Sequence, residues 1–181
     1  MNQNILQGRA WVFGNGVDVD RDILSLDTLH MLRRQGGPIG PDQLGRHCLE
    51  RLMPGFAQRI QPGDFVVAGE GMGYCAACLD GDPDDPHQIG TASMAIKGAG
   101  VGAVLCESSN MNFLMNSLSH GLPVVECRDL LAHVAQGDML ELNLATGVLR
   151  NLTTGYVLKF AALPEPILQR LHAGGLYSMA A

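Results

Sequence analysis

A chain of 181 residues is long enough to bury one sizeable core, so a single domain spanning 1–181 is expected. Apolar residues make up 46% and charged residues 17%, which suits a soluble globular protein. The formal charge is −6 and no basic run is longer than Arg33-Arg34, so neither a nucleic-acid groove nor an anionic membrane surface is expected as a partner.

The apolar runs are too short to span a bilayer, and the opening MNQNILQGRAW lacks the basic-then-apolar order of a signal peptide. A cytoplasmic location is therefore expected. Five cysteines are an odd number, which argues for buried thiols or a special site over a disulfide framework.

In chain order, Arg9–Phe13 reads as a first strand, ended by the turn Gly14-Asn15-Gly16. The alternating acids Asp18, Asp20 and Asp22 suggest a calcium loop, but the required glycine and closing glutamate are absent. Turn-capping is the better role for them. Ile23–Arg34 has helical spacing and stops at Gln35-Gly36-Gly37-Pro38. Asp42–Met53 repeats it, with Leu44, Cys48, Leu49 and Leu52 on one side, His47 on the solvated side and Pro54 as terminator. Cys48 is expected as a core thiol.

Phe65–Ala68, Val101–Cys106 and Pro123–Glu126 are short apolar runs that read as buried strands. Between them lie two helices, Thr91–Lys97 with Thr91 as its cap, and Asn110–His120 ended by Gly121 and Pro123. Strand, helix, strand, helix, strand is the order of right-handed parallel crossovers. Asp129–Val134 is a short helix. Asp138–Asn143, Val148–Asn151 and Gly155–Phe160 read as antiparallel strands forming a second layer, and Pro164–Ala173 as a final helix.

Ligands of such sheets bind outside the carboxyl ends of the parallel strands, which points to the loop Glu70–Gly90. It holds Cys75-Ala76-Ala77-Cys78 and His87, two thiols and an imidazole with metal-ligand chemistry. A structural zinc site needs a fourth ligand, for which Asp80, Asp82, Asp84 or Asp85 is available. The same residues also suit a dry packed turn, or a rebuilt active site. In that last reading His87 is the better acid–base group, because imidazole titrates near neutrality.

The ordered series of motifs resembles a known family. Arg9–Gly14 followed by Asp18-Val19-Asp20, Asp64–Glu70 with Gly73, Ala95–Val101 with Ala103-Val104, and Asn116–Glu126 are similar to the small subunit of isopropylmalate isomerase. That subunit corresponds to the swivelling fourth domain of aconitase. The agreement continues through Gly137-Asp138, Leu144–Gly147, Asn151, Thr154-Gly155 and Leu171–Leu176, nearly the whole chain.

The resemblance implies an α/β fold, a three-layer β/β/α swivelling domain with a parallel sheet flanked by helices and an antiparallel hairpin layer. It implies a hydro-lyase that dehydrates and rehydrates a hydroxy-carboxylic acid, active only with a large subunit. That partner would carry a 4Fe–4S cluster whose open iron acts as Lewis acid, in a heterodimer or heterotetramer. Family members close the site with a loop Gly-Cys-Gly-Ser-Ser-Arg-Glu-His-Ala, in which serine is the base and arginine grips a substrate carboxylate.

Here the chain departs from the family. Aligned from the left, Gly73–Cys78 replaces the motif and Cys78 stands for the arginine. Aligned from the right, Pro86–Thr91 replaces it, and neither alignment restores serine or arginine. The residues expected to carry chemistry are therefore His87, Cys75 and Gln88. The residues expected to meet substrate are Asp18, Asp20, Gly73, Cys78 and Thr91, with Leu29 and His30 in the segment matching the family's substrate-selecting loop. The acids of this loop would repel a tricarboxylate, by on the order of 1 kcal/mol per close like pair at a surface, which suits a substrate with fewer carboxylates or a cationic group. Two alternatives stand beside this expectation. One is a non-catalytic domain that kept the fold, and the other is a metal-binding protein using Cys75, Cys78 and His87.

Overall fold

The structure, a computed structural model, describes residues 3–36, 39–75 and 89–176. Its frame is a curled seven-stranded sheet in the order β4-β3-β2-β1-β5-β6-β7. The strands are β1 (Ile5–Val12), β2 (Phe65–Val67), β3 (Ala103–Cys106), β4 (Val124–Glu126), β5 (Met139–Asn143), β6 (Val148–Asn151) and β7 (Val157–Lys159).

β1 belongs to both halves of the sheet. Its Ala10–Val12 pairs in parallel with Phe65–Val67, while its Ile5–Arg9 pairs antiparallel with Met139–Asn143. β2, β3 and β4 continue in parallel, and β5, β6 and β7 continue antiparallel. A Cβ at Gly8 would lie 2.3 Å from Gly63 O, so only glycine lets β1 pass the turn before β2 at this depth.

Parallel strands buried on both faces read as continuous apolar runs, and β2 and β3 are buried at every position. Val66, Val104 and Cys106 face a core closed by the helical layer, with Phe56, Ala95, Ile96 and Phe113. Phe65, Val67, Ala103 and Leu105 face the other way, onto Leu140, Leu142 and Leu149 of the antiparallel strands and Leu168. Helices, parallel sheet and antiparallel strands thus form the three expected layers.

Several boundaries differ from expectation. The helix expected over 23–34 runs Leu26–Gln35, because Ser25 Oγ caps it by accepting from Thr28 N (3.2 Å). The preceding Val19–Ile23 forms one π-helical turn. The single helix expected over 42–53 is helical only at Pro41–Gly45. Beyond it Leu49 adopts φ 55° and donates its N–H to Ile23 O (2.9 Å), a long-range bond that replaces the helical one. Leu44, Cys48 and Leu49 are buried all the same, whereas Leu52 is 43% exposed and His47 half-buried.

Thr91 is not a cap, since its helix spans Ile89–Gly98 and begins two residues earlier. The next helix, Met111–Ser119, is capped by Asn110, whose side chain accepts from Asn112 N (2.9 Å). Two short helices, Phe56–Arg59 and Leu130–His133, and a last one, Glu165–His172, complete the fold. Among the described residues no helix is long and apolar enough to cross a membrane.

Candidate functional site

The carboxyl ends of β1, β2 and β3 continue past the sheet as three strands of loop tied by backbone bonds. Gly14 O accepts from Gly69 N (3.2 Å), and Gly16 N donates to Glu70 O (2.7 Å). Gly73 N donates to Val17 O (2.9 Å) and Val19 N to Tyr74 O (2.8 Å), so Asp18 and Tyr74 form an isolated parallel bridge. On the other side Met72 N donates to Ser108 O (2.9 Å) and Asn110 N to Met72 O (2.8 Å). The chain after β2 is therefore held centrally between residues 14–19 and 107–110, up to Cys75, where the described residues pause.

Side chains reinforce this rim. Asn15 Oδ1 accepts from Glu70 N (3.0 Å), Ser108 Oγ from Gly71 N (3.0 Å), and Glu126 Oε1 from both Ser109 N and Ser109 Oγ (2.7 Å each). A Cβ at Gly73, which has φ 76°, would strike Phe113 at 2.3 Å, so Gly73 is the only residue that fits there.

The three acids of residues 18–22 build the turn that flanks the rim. Asp18 Oδ1 accepts from Asp20 N (2.8 Å) and Arg21 N (3.0 Å), and Asp22 Oδ2 accepts from Asp18 N (3.0 Å). Arg21 forks onto Asp22 at 3.1 Å through both Nε and a terminal nitrogen. Burial pushes the Asp22 carboxyl upward, but the Arg21 hydrogen bond, the Asp18 N–H and the charges of Arg21 and Arg51 outweigh it and hold it below its ordinary value.

Asp18 is thus a capping group. Asp20 is 7% exposed, and its Oδ2 lies 3.0 Å from Cys75 Sγ. Cys75 is disulfide-bonded, so its sulfur carries no proton in this state.

Of the other expected site residues, Leu29 lies in the core beside an exposed His30, and Thr91 is half-buried in the first half of its helix. His87, Gln88 and Cys78 lie outside the described residues. Among the described residues no cluster of three histidines, cysteines or acids is arranged to hold a metal ion. Cys48 and Cys106 sit in the helical-side core and Cys127 in the opposite one, so these three thiols do not converge. Burial pushes all three upward in pKa, Cys106 to about 12 with help from the Glu126 charge.

Sequence reasoning did not single out Asn15, Ser108 and Ser109 as rim residues. The signal for the last two was the polar Ser-Ser-Asn run between a buried strand and a capped helix. The rim as it stands can anchor the chain up to Cys75 and present hydrogen-bonding groups. It does not pair an acid with a base among the described residues.

A scan against protein-family models finds no match. The chain is 37% identical over 174 residues to the isopropylmalate/citramalate isomerase small subunit of Methanocaldococcus jannaschii, covering 96% of this chain and 92% of that one. It is 34% identical over 173 residues to the 3-isopropylmalate dehydratase small subunit of Wolinella succinogenes, covering 96% and 92%. Among solved structures, the crystal structure of a 3-isopropylmalate dehydratase from Methanocaldococcus jannaschii superposes with a TM-score of 0.78 at 25% identity, over 97% of this chain and 93% of that one.

Proposed function

This chain belongs to the 3-isopropylmalate dehydratase small-subunit family, and on that premise we propose that it is the site-closing subunit of a cytoplasmic hydro-lyase acting on a hydroxy-carboxylic acid. The observation that carries the reading is likeness to a named small subunit along 96% of the chain. A small subunit works with a large one, and we assign a 4Fe–4S cluster to that partner. The described thiols of this chain are scattered through two cores and do not offer a cluster site. When bound, the partner's cluster would supply a Lewis-acidic iron for the leaving hydroxyl.

This chain's own part is to position the residues that follow Cys75. The bridges at Asp18–Tyr74 and Met72–Ser109 anchor the start of that segment, and helix Ile89–Gly98 receives its end. His87, at a position of the missing serine, would exchange the proton, with Gln88 beside it. Thr91, Gly73, Cys78, Asp20 and the Leu29-His30 segment would shape the substrate side. Cys75 would contribute thiol chemistry only after reduction. With serine and arginine both replaced, the substrate is a hydroxy acid that needs no arginine clamp, one with fewer carboxylates than citrate or with a cationic group.

The test is co-expression with a large subunit, anaerobic purification and assay against a panel of hydroxy acids. Turnover in the wild type with a loss of about 100-fold or more in His87→Ala, the size usual for a general acid–base group, is expected. Cys75→Ala should lower activity under reducing conditions, where wild type has the free thiol, and change it little under oxidising ones. Equal activity of wild type and His87→Ala would move the proton transfer elsewhere. A stable complex inactive on every acid would favour a domain that kept its fold without catalysis.

A further inference from the structure

A second concave site lies away from the 76–88 segment. A groove of about 350 Å³ opens between helix Leu130–His133 and the turn joining β6 to β7, with Leu131, His133, Asp138, Thr154 and Tyr156 in its lining. Its walls are built. The His133 and Tyr156 rings stack at 3.7 Å and 10°, and Asn151, 3% exposed, ties the parts together. Asn151 Nδ2 donates to His133 O (2.9 Å) and to Asp138 Oδ2 (2.7 Å), while its Oδ1 accepts from Thr153 N and Thr154 N.

Asp138 is 8% exposed, and its Oδ2 also accepts from Ala135 N (2.9 Å). Among the described residues no hydrogen bond reaches its other oxygen, Oδ1. A carboxylate held in place by two hydrogen bonds to Oδ2, with Oδ1 open on the groove side, favours a cationic donor, because a charge-assisted hydrogen bond is stronger than a neutral one.

We propose that this groove binds a planar cation, a guanidinium group. The guanidinium would donate to Asp138 Oδ1 and lie against the outer face of Tyr156, which is 45% exposed. Leu131 and Val134 would take the apolar stem that carries it. A guanidinium fits the planar stack better than a compact, strongly hydrated ammonium. It could come from a free guanidino compound or from an arginine of a protein partner.

The probe is N-acetyl-arginine amide, titrated into the full-length isotope-labelled chain, with N-acetyl-lysine amide as control. Saturable shifts of the Asp138, Thr154 and Tyr156 amides are expected with the arginine probe and much weaker ones with lysine. Asp138→Asn should weaken binding by about tenfold or more, as loss of a charge-assisted bond does. The exposed Tyr156→Leu, which leaves the Asn151 network intact, should weaken it several-fold and guards against misfolding of the first variant. The absence of saturable shifts, equal binding of the lysine control, or affinity indifferent to both substitutions would each overturn the proposal.

Repeating the titration on the co-expressed complex separates the sources. Exclusion of the probe, with weaker assembly in Asp138→Asn, identifies a partner arginine, and unchanged binding identifies a free compound. The titration on the lone chain does not depend on the hydro-lyase reading, so either can fail alone.

Discussion

Asp64 shows how one carboxylate joins two strands. Its Oδ1 accepts from Arg9 N (3.0 Å), and its Oδ2 from Trp11 Nε1 (2.8 Å) and Gln61 N (3.0 Å), at 7% exposure. Trp11 is in turn packed edge-on against Phe56 and covered by the Arg59 guanidinium. Asp64→Ala strands three donors and is expected to cost about 3 kcal/mol in denaturant unfolding, the range for breaking a buried charged hydrogen-bond set. Asp64→Asn, which keeps one acceptor oxygen, should cost less. Equal stability of Asp64→Ala and wild type would show that the two N–H groups and the indole find other partners.

At the scale of elements, the helical layer is held by close backbone approach and by one cation. Cβ atoms on Gly45 and Gly98 would lie 2.2 Å and 1.9 Å from backbone atoms of the facing segment, so helices Pro41–Gly45 and Ile89–Gly98 meet with no side chain between them. Buried Ser93 and Ser117 hydroxyls bond at 2.9 Å between helices Ile89–Gly98 and Met111–Ser119. Lys97 Nζ donates to His120 O, at the end of Met111–Ser119, and to Gly174 O (3.3 Å), beyond the end of Glu165–His172. A cation at helix C-termini is favourable, although burial lowers the Lys97 pKa. Burial, with the Lys97 charge second, also lowers that of His120. Lys97→Met should keep the packing of the stem and lower stability by about 1–2 kcal/mol, the worth of a charged hydrogen-bond pair. An unchanged melting temperature would remove the clamp from the account.

For the whole molecule, β1 is the strand shared by the parallel and antiparallel halves, so neither half can unfold without disrupting the other. Trp11 fluorescence and far-UV circular dichroism should therefore report one coincident unfolding transition. Two separated transitions would instead make the halves independent domains. The same experiment has a pH dependence. In the fold, Cys106 keeps its proton to about 12 and Cys48 is also pushed up by burial, while unfolded thiols ionise near 9.0. Above that value the unfolded state binds fewer protons than the folded one, so stability falls as pH rises from 9.0 toward about 12. Cys48→Ala would shift this alkaline loss at the expense of a cavity.

The parallel strands, their crossover order and the helix ended by Gly121 and Pro123 were legible in the amino-acid sequence, because burial on both faces writes itself as short apolar runs bounded by glycine and proline. Family membership was legible for a related reason: rim glycines such as Gly73 occupy places where a Cβ cannot fit, so this fold requires glycine there and the motif shows it. The turn-capping role of Asp18 and Asp22 was legible too, but local pattern did not decide the end of helix Pro41–Gly45, where Leu49 N turns to Ile23 O. Nor did it reveal the Asp138 oxygen that no hydrogen bond reaches among the described residues, or the His133–Tyr156 stack. Hydrophobic periodicity is a property of neighbouring residues and can be read locally. Hydrogen bonds between residues far apart in the chain, and the groove they frame, exist only once the strands have paired, so only the tertiary structure could decide them.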